Sequence, residues 1–334
     1  MAGDIAAAWD RGARFLGSRH AIMGGAMTWV SERHLVAALS NCGGFGVLAC
    51  GAMTPEQLDA EIAGAFALTS APFGVNLIVM HPELARLVEV CLDRGVGHIV
   101  LAGGVPAAAI VKRARSRDAK VIGFAPALAI ARKLVRAGID ALIIEGMEAG
   151  GHIGPVSTGV LAQEILPNIR DVPVFVAGGI GRGEAVASFV AMGAAGCQLG
   201  TRLVCAHESI AHPNMKRAFI RAAARDAQPS VQLDPSFPVI PVRALVNGGT
   251  RRFMDTQRDV IARYRAGELD QKEAQLAIEH FWAGALRRAV IDGDVETGSV
   301  MAGQSVGMVT AEQSMAEILA ELIDQAEGLA GIRL

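Results

Sequence analysis

The stretch Ala141-Leu142-Ile143-Ile144-Glu145-Gly146-Met147-Glu148-Ala149-Gly150-Gly151-His152-Ile153-Gly154 decides how the chain is read. Its first four residues are apolar and read as a buried strand. The glycines that follow break the strand and carry one histidine out into a loop. A buried strand ending in such a loop is a usual place for chemistry on an α/β scaffold. Whether His152 is a catalytic group or only a loop residue depends on what the rest of the chain places around it.

Outward from this stretch, short apolar runs alternate with longer helical patterns. Residues 21–23, 44–48, 73–78, 98–101 and 120–123 read as strands before it, and residues 172–177 and 196–199 as strands after it. Helical patterns cover residues 31–41 and 127–137. Thr54-Pro55-Glu56 gives an N-cap followed by proline at the first helical position, and His81-Pro82-Glu83 opens another helix. Repeated strand–helix–strand units with short connections demand parallel pairing. Eight strand candidates within about 200 residues fit a (β/α)8 TIM barrel of the α/β class. An open doubly wound sheet needs fewer strands, and no GxGxxG follows the first one.

The alternation stops after Thr201. Residues 1–206 are therefore expected to form the barrel. Residues 207–298 are expected to form a mainly helical insertion or lid near its mouth, with a proline-rich break at 229–241. Residues 299–334 would close the fold, with an amphipathic last helix over 308–329.

Composition narrows the class. The 334 residues are 51% hydrophobic with a mean hydropathy of +0.36, which predicts a large core. No apolar run approaches the roughly 18 residues of a membrane span. The start, Met1-Ala2-Gly3-Asp4, does not look like a secretory signal, so a cytoplasmic location is expected. A net charge of −2 and 4% aromatics argue against nucleic acid as partner. The five cysteines, Cys42, Cys50, Cys91, Cys197 and Cys205, lack CxxC spacing and read as reduced core thiols.

In a barrel the ligand lies at the C-terminal strand ends. These are Gly24-Gly25-Ala26-Met27, Asn76, Ala102-Gly103-Gly104, Gly150-Gly151-His152, Ala177-Gly178-Gly179 and Gly200-Thr201, with no metal-ligand cluster among them. Glycines after the last two strands form the position where barrels hold a phosphate on backbone N–H groups, and the Thr201 hydroxyl could add a hydrogen bond. The competing reading is that they only close tight turns. A phosphate on one side and His152 on another leave room for a flat cofactor lined by Met27, Asn76 and residues 102–104. Asn76 can donate and accept, as an isoalloxazine edge requires, or it can be a satisfied buried amide.

In this order, Gly25-Ala26-Met27-Thr28-Trp29-Val30-Ser31, Asn41-Cys42-Gly43-Gly44-Phe45-Gly46, Pro72-Phe73-Gly74-Val75-Asn76, the 145–154 stretch, Ala177-Gly178-Gly179-Ile180, Gln198-Leu199-Gly200-Thr201-Arg202 and Gly298-Ser299-Val300-Met301-Ala302-Gly303-Gln304 form a specific set. With them the chain resembles the FMN-dependent nitronate monooxygenase family, formerly 2-nitropropane dioxygenases, which includes flavin-type enoyl-acyl-carrier-protein reductases. The resemblance implies FMN bound non-covalently, with Gly178, Gly179, Gly200 and Thr201 holding its phosphate. Gly25, Ala26, Met27, Asn76, Gly150, Gly151 and Ala177 would line the cofactor, and His152 would meet substrate. Two departures stand out. Gly24 and Ala26 replace the glutamine and glycine of many relatives, a change expected beside the flavin. Gly181-Arg182-Gly183 lacks a frequent aspartate, a change expected to affect loop capping only.

Two reactions follow from the resemblance. Nitronate oxidation with O2 leads, because it is the broader assignment and the first loop departs from the reductases. The alternative is an NAD(P)H-dependent enoyl-acyl-carrier-protein reductase of fatty-acid synthesis, supported by His207 to Asn214 and Gly284 to Gln304, or another NAD(P)H:flavin oxidoreductase. Both need His152 beside the same ring. NADH or NADPH is the reductant in the second case, and a homodimer is left open. A barrel binding a phosphorylated metabolite without flavin is the reading from another class. His212, before Pro213, reads as a helix-start residue.

Overall fold

The computed structural model describes residues 5–51, 53–234 and 240–330. Eight parallel strands are present: β1 (Ile22–Gly24), β2 (Gly46–Ala49), β3 (Phe73–Ile78), β4 (His98–Ala102), β5 (Lys120–Phe124), β6 (Ala141–Glu145), β7 (Val174–Ala177) and β8 (Gly196–Leu199). They run in the order β1-β8-β7-β6-β5-β4-β3-β2. The sheet curls until its ends meet: Phe45 N donates to Ile22 O and Gly24 N to Phe45 O, both at 2.9 Å. The result is the expected TIM barrel, with strand ends shifted by one or two residues.

Successive strand residues face opposite sides of a sheet. Phe175 faces the lumen, where its ring lies 6.2 Å from that of Phe15. Register carries this face around the barrel: Ile143 and Glu145 pair with Phe175 and Ala177, and Ala177 with Gln198. On the other side Phe124 pairs with Ile143, Val100 with Ile122, Asn76 with Val100 and Ala49 with Asn76. The C-terminal layer of the lumen therefore presents Ala49, Asn76, Glu145, Ala177 and Gln198.

The opposite end is stoppered. The helix Asp10–Leu16 inserts Phe15 beside His98, with ring centroids 5.5 Å apart, and Phe45 meets the same imidazole at 4.9 Å. His98 Nε2 pairs with the Phe15 carbonyl at 2.9 Å, and burial lowers its pKa. His98 is a core residue. The thiols are likewise structural: burial pushes Cys50 up to about 11 and Cys205 up to about 12.

The last helix, Met315–Ala330, packs on the helix Gly183–Ala191. A Cβ on Gly183 would meet Leu322 O at 1.9 Å, and Gly183 N donates to Gln325 Oε1 at 2.8 Å. Gln325 thus accepts from the first N–H of this helix. The last helix starts at Met315 rather than 308, because Gln304–Met308 forms a separate 3-10 turn.

Residues 207–298 hold the helices Pro213–Arg221, Gly248–Arg265 and Gln271–Val290. His212 caps the first, its Nδ1 accepting from Asn214 N at 3.1 Å. The segment also contains two strands the sequence reading did not foresee, Ala227–Pro229 and Val242–Leu245, which pair antiparallel with each other. Phe253 and Trp282, 4.1 Å apart, centre a small second core with Val260 and Ile278. Residues 235–239 of the proline-rich break and the first four residues lie outside the described residues. Among the described residues, no helix is long and apolar enough to cross a membrane, and no group of three or more metal-ligating side chains occurs.

Candidate active site

After β6 the chain is held at every step. Gly146 N donates to Ala177 O at 3.0 Å, and Met147 N to Val156 O at 2.8 Å. The Glu148 carboxylate accepts from Thr158 N and Thr158 Oγ1, both at 2.9 Å. It thereby caps the helix Thr158–Ile165, whose preceding Ser157 gives no side-chain cap. Thr158 Oγ1 also lies 3.0 Å from Gly178 O, linking this loop to the next.

Gly150 is required by close packing. A Cβ there would stand 2.6 Å from Gly303 N, and one on Gly303 would stand 2.7 Å from Glu148 O. Gly303 N donates to Thr201 Oγ1 and Gln304 N to Glu148 O, both at 2.9 Å. Residues 303–304 thus stitch the sixth loop to the eighth. Thr201 accepts with its hydroxyl oxygen and keeps its O–H available.

His152 does not sit in a free loop. Gly151 and His152 form a two-residue strand that pairs with Val242 and Arg243, making the third strand of the insertion's sheet. Gly151 takes φ +78°, the left-handed region that glycine reaches without strain. The backbone of His152 is therefore fixed while its side chain remains exposed. Buried Arg243 reinforces this: Nε donates to Met147 O at 2.9 Å and Nη1 to Ala227 O at 2.5 Å.

The other expected residues gather on the same rim. Gly178 and Gly179 have φ of +98° and +72°. Among the described residues, the N–H groups of Gly178, Gly179 and Gly200 donate to no backbone carbonyl. A Cβ on Gly25 would stand 3.3 Å from Gly200 Cα, and one on Gly200 would stand 3.5 Å from Met27 Sδ, so the first and eighth loops touch. Ala26 and Met27 are half-buried there. Trp29, at φ +70°, meets the Arg287 guanidinium 6.0 Å from its ring centroid, joining the insertion to the first loop. Gly24 is a correction: its Cβ would meet Leu39 at 2.9 Å, on the helix side of the wall. A glutamine-to-glycine difference at this position changes the packing of the helix Arg33–Asn41, not the lumen.

Asn76 is 5% exposed and faces the lumen, and among the described residues its Oδ1 has no donor. A buried amide oxygen without a partner points to a ligand that supplies the missing N–H. Together with unused N–H groups on the opposite rim, it fits a cofactor with a hydrogen-bonding ring at one end and a phosphate at the other.

Sequence reasoning missed Glu145, Gln198, Arg243 and Gly303. Glu145 was legible from period-two alternation, because it shares the inner face with Ile143. It is half-buried. Burial raises its pKa to about 7, opposed by the nearby His152.

A family model described as nitronate monooxygenase matches residues 11–88 and 84–325. A Mycobacterium tuberculosis protein, (3aS,4S,5R,7aS)-5-hydroxy-7a-methyl-1-oxo-octahydro-1H-indene-4-carboxyl-CoA dehydrogenase, is 29% identical over 92% of this chain and 93% of its own length. The structure of FabK from Thermotoga maritima matches with a TM-score of 0.85 and 33% identity, over 95% of this chain and 96% of that one. The structure of nitroalkane oxidase from Streptomyces ansochromogenes matches with 0.79 and 26%, over 95% and 98%.

Proposed function

The chain belongs to the nitronate monooxygenase family of oxidoreductases, and from that premise we propose that it binds FMN in the barrel mouth and acts on an acyl thioester. The observation that carries the cofactor is the unpartnered Asn76 Oδ1 across the ring from glycine turns with unused N–H groups. Gly178, Gly179, Gly200 and Thr201 would hold the phosphate. Gly25, Ala26, Met27, Asn76, Gly150, Gly151 and Ala177 would line the ring and ribityl chain. FMN, when bound, supplies the electron chemistry. His152 is the group we assign to substrate, polarising its carbonyl or carrying a proton.

The motifs alone lead with nitronate oxidation, whereas likeness along the whole chain moves support to the thioester. One relative is named for a carboxyl-CoA dehydrogenase, and the FabK match includes the insertion and exceeds the nitroalkane oxidase in identity and TM-score. Nitronate oxidation stays the second reading, favoured by the family description and by that oxidase.

Purified protein incubated with FMN and desalted is expected to be yellow. A colourless protein overturns the cofactor. NADH or NADPH, mixed anaerobically, should then bleach the flavin band, and crotonyl-CoA should restore it. Bleaching by propyl-2-nitronate and by neither nicotinamide would reverse the order of the two substrates.

A further inference from the structure

Glu145 is unused by the function proposed above. It ends β6 on the lumen face, and no hydrogen bond from a described residue satisfies its carboxylate. The side chains sharing its layer are uncharged: Ala49, Asn76, Ala177 and Gln198, with Phe124 on the adjacent β5. The charges of this loop and of the strand paired with it are committed elsewhere. Glu148 is bound by Thr158, and Arg243 by Met147 O and Ala227 O. Among the described residues, His152 is the ionisable group that acts on Glu145.

We propose that Glu145 is a specificity-determining residue whose carboxylate excludes anionic substrates from the mouth, so that the site takes a neutral electrophile. The physical ground is Coulombic. A carboxylate at the end of β6, on the lumen face, repels an anion entering the mouth, an effect of about tenfold or more at the effective dielectric of a partly buried site. A neutral thioester carbonyl loses nothing by this. Burial of the same carboxylate favours its protonated form, so exclusion strengthens as the pH rises through neutrality. This deepens the thioester reading and rests on the mouth being the substrate site.

The test uses nitrate, a planar anion with the O–N–O head of a nitronate, and acetamide as its neutral counterpart. Both are titrated calorimetrically into protein loaded with FMN. At about pH 8.5, Glu145→Gln is expected to bind nitrate roughly tenfold or more tightly than the unaltered protein, with acetamide changed less than about twofold. Equal nitrate affinities overturn the proposal. Should Glu145→Gln not fold, His152→Ala keeps Glu145 in place for the same measurement. Its nitrate affinity should fall between about pH 6 and 8.5, and a flat profile overturns the proposal equally. Failure of the flavin reading shows separately, as absent yellow colour, and the nitrate comparison is then made on the protein without FMN.

Discussion

The Nε of Arg243 donates to the carbonyl oxygen of Met147 at 2.9 Å, so one buried side chain of the insertion holds the loop that leads to His152. Its Nη1 holds Ala227 O as well, and three segments meet on one guanidinium. Arg243→Met would leave two carbonyls without this donor and loosen the strand pairing that fixes His152. We predict a loss of about ten- to a hundredfold in kcat with FMN retained, and only partial recovery with Arg243→Lys. Unchanged turnover in Arg243→Met would remove its positioning role.

His152→Ala is expected to keep both fold and FMN, because its backbone pairing with Val242 does not involve the imidazole. Turnover should drop about a hundredfold or more. The two readouts are flavin absorbance after gel filtration and steady-state rate. A variant that turns over normally would show that the imidazole has no catalytic part.

Asn76→Leu separates cofactor binding from folding. The amide oxygen is buried and unpartnered in this structure, so an apolar replacement of similar shape should leave the FMN-free protein equally stable, or more stable by about 1 kcal/mol. FMN affinity should fall about tenfold. Equal FMN dissociation constants for the two proteins would be evidence against a contact at this amide.

Glu145 also links stability to pH. Its carboxyl has an ordinary value of 4.5 and is raised to about 7 in the fold. Between those values the folded chain keeps a proton that the unfolded chain has released, so stability falls as pH rises through this window and levels off above it. The drop is of order 3 kcal/mol before relaxation of the site is allowed for. Urea melts of the FMN-free protein at several pH values should show it, and Glu145→Gln should lose this component. Identical slopes in the two proteins would count against the raised value.

The barrel was legible because its strands are short continuous apolar runs separated by amphipathic helices, and each run of residues 73–78 or 141–144 has only one reading at that length. The glycine rims were legible for the same reason: Gly178, Gly179 and Gly200 interrupt strong patterns. What the sequence hid depends on partners far along the chain. Val242–Leu245 is four residues long and pairs on one side with Ala227–Pro229 and on the other with Gly151 and His152, about ninety positions earlier. Arg243 resembles any surface arginine until the fold buries it. Gly24 misled because strand parity, which turns it toward Leu39, depends on register with β8. Glu145 is the exception: it stands inside the quoted stretch, its parity with Ile143 could be read from the sequence, and pairing with Ala177 shows which face is the lumen.

The aromatic seal of Phe15, Phe45 and His98 gives the barrel a single doorway. On the proposed activity, electron donor and acceptor must pass through it in turn, each leaving before the other enters. Such traffic makes each reactant a competitive inhibitor of the other's half of the cycle, and it gives families of parallel lines in double-reciprocal plots. The plug that completes the core would in this way set the order of visits at the far end of the molecule.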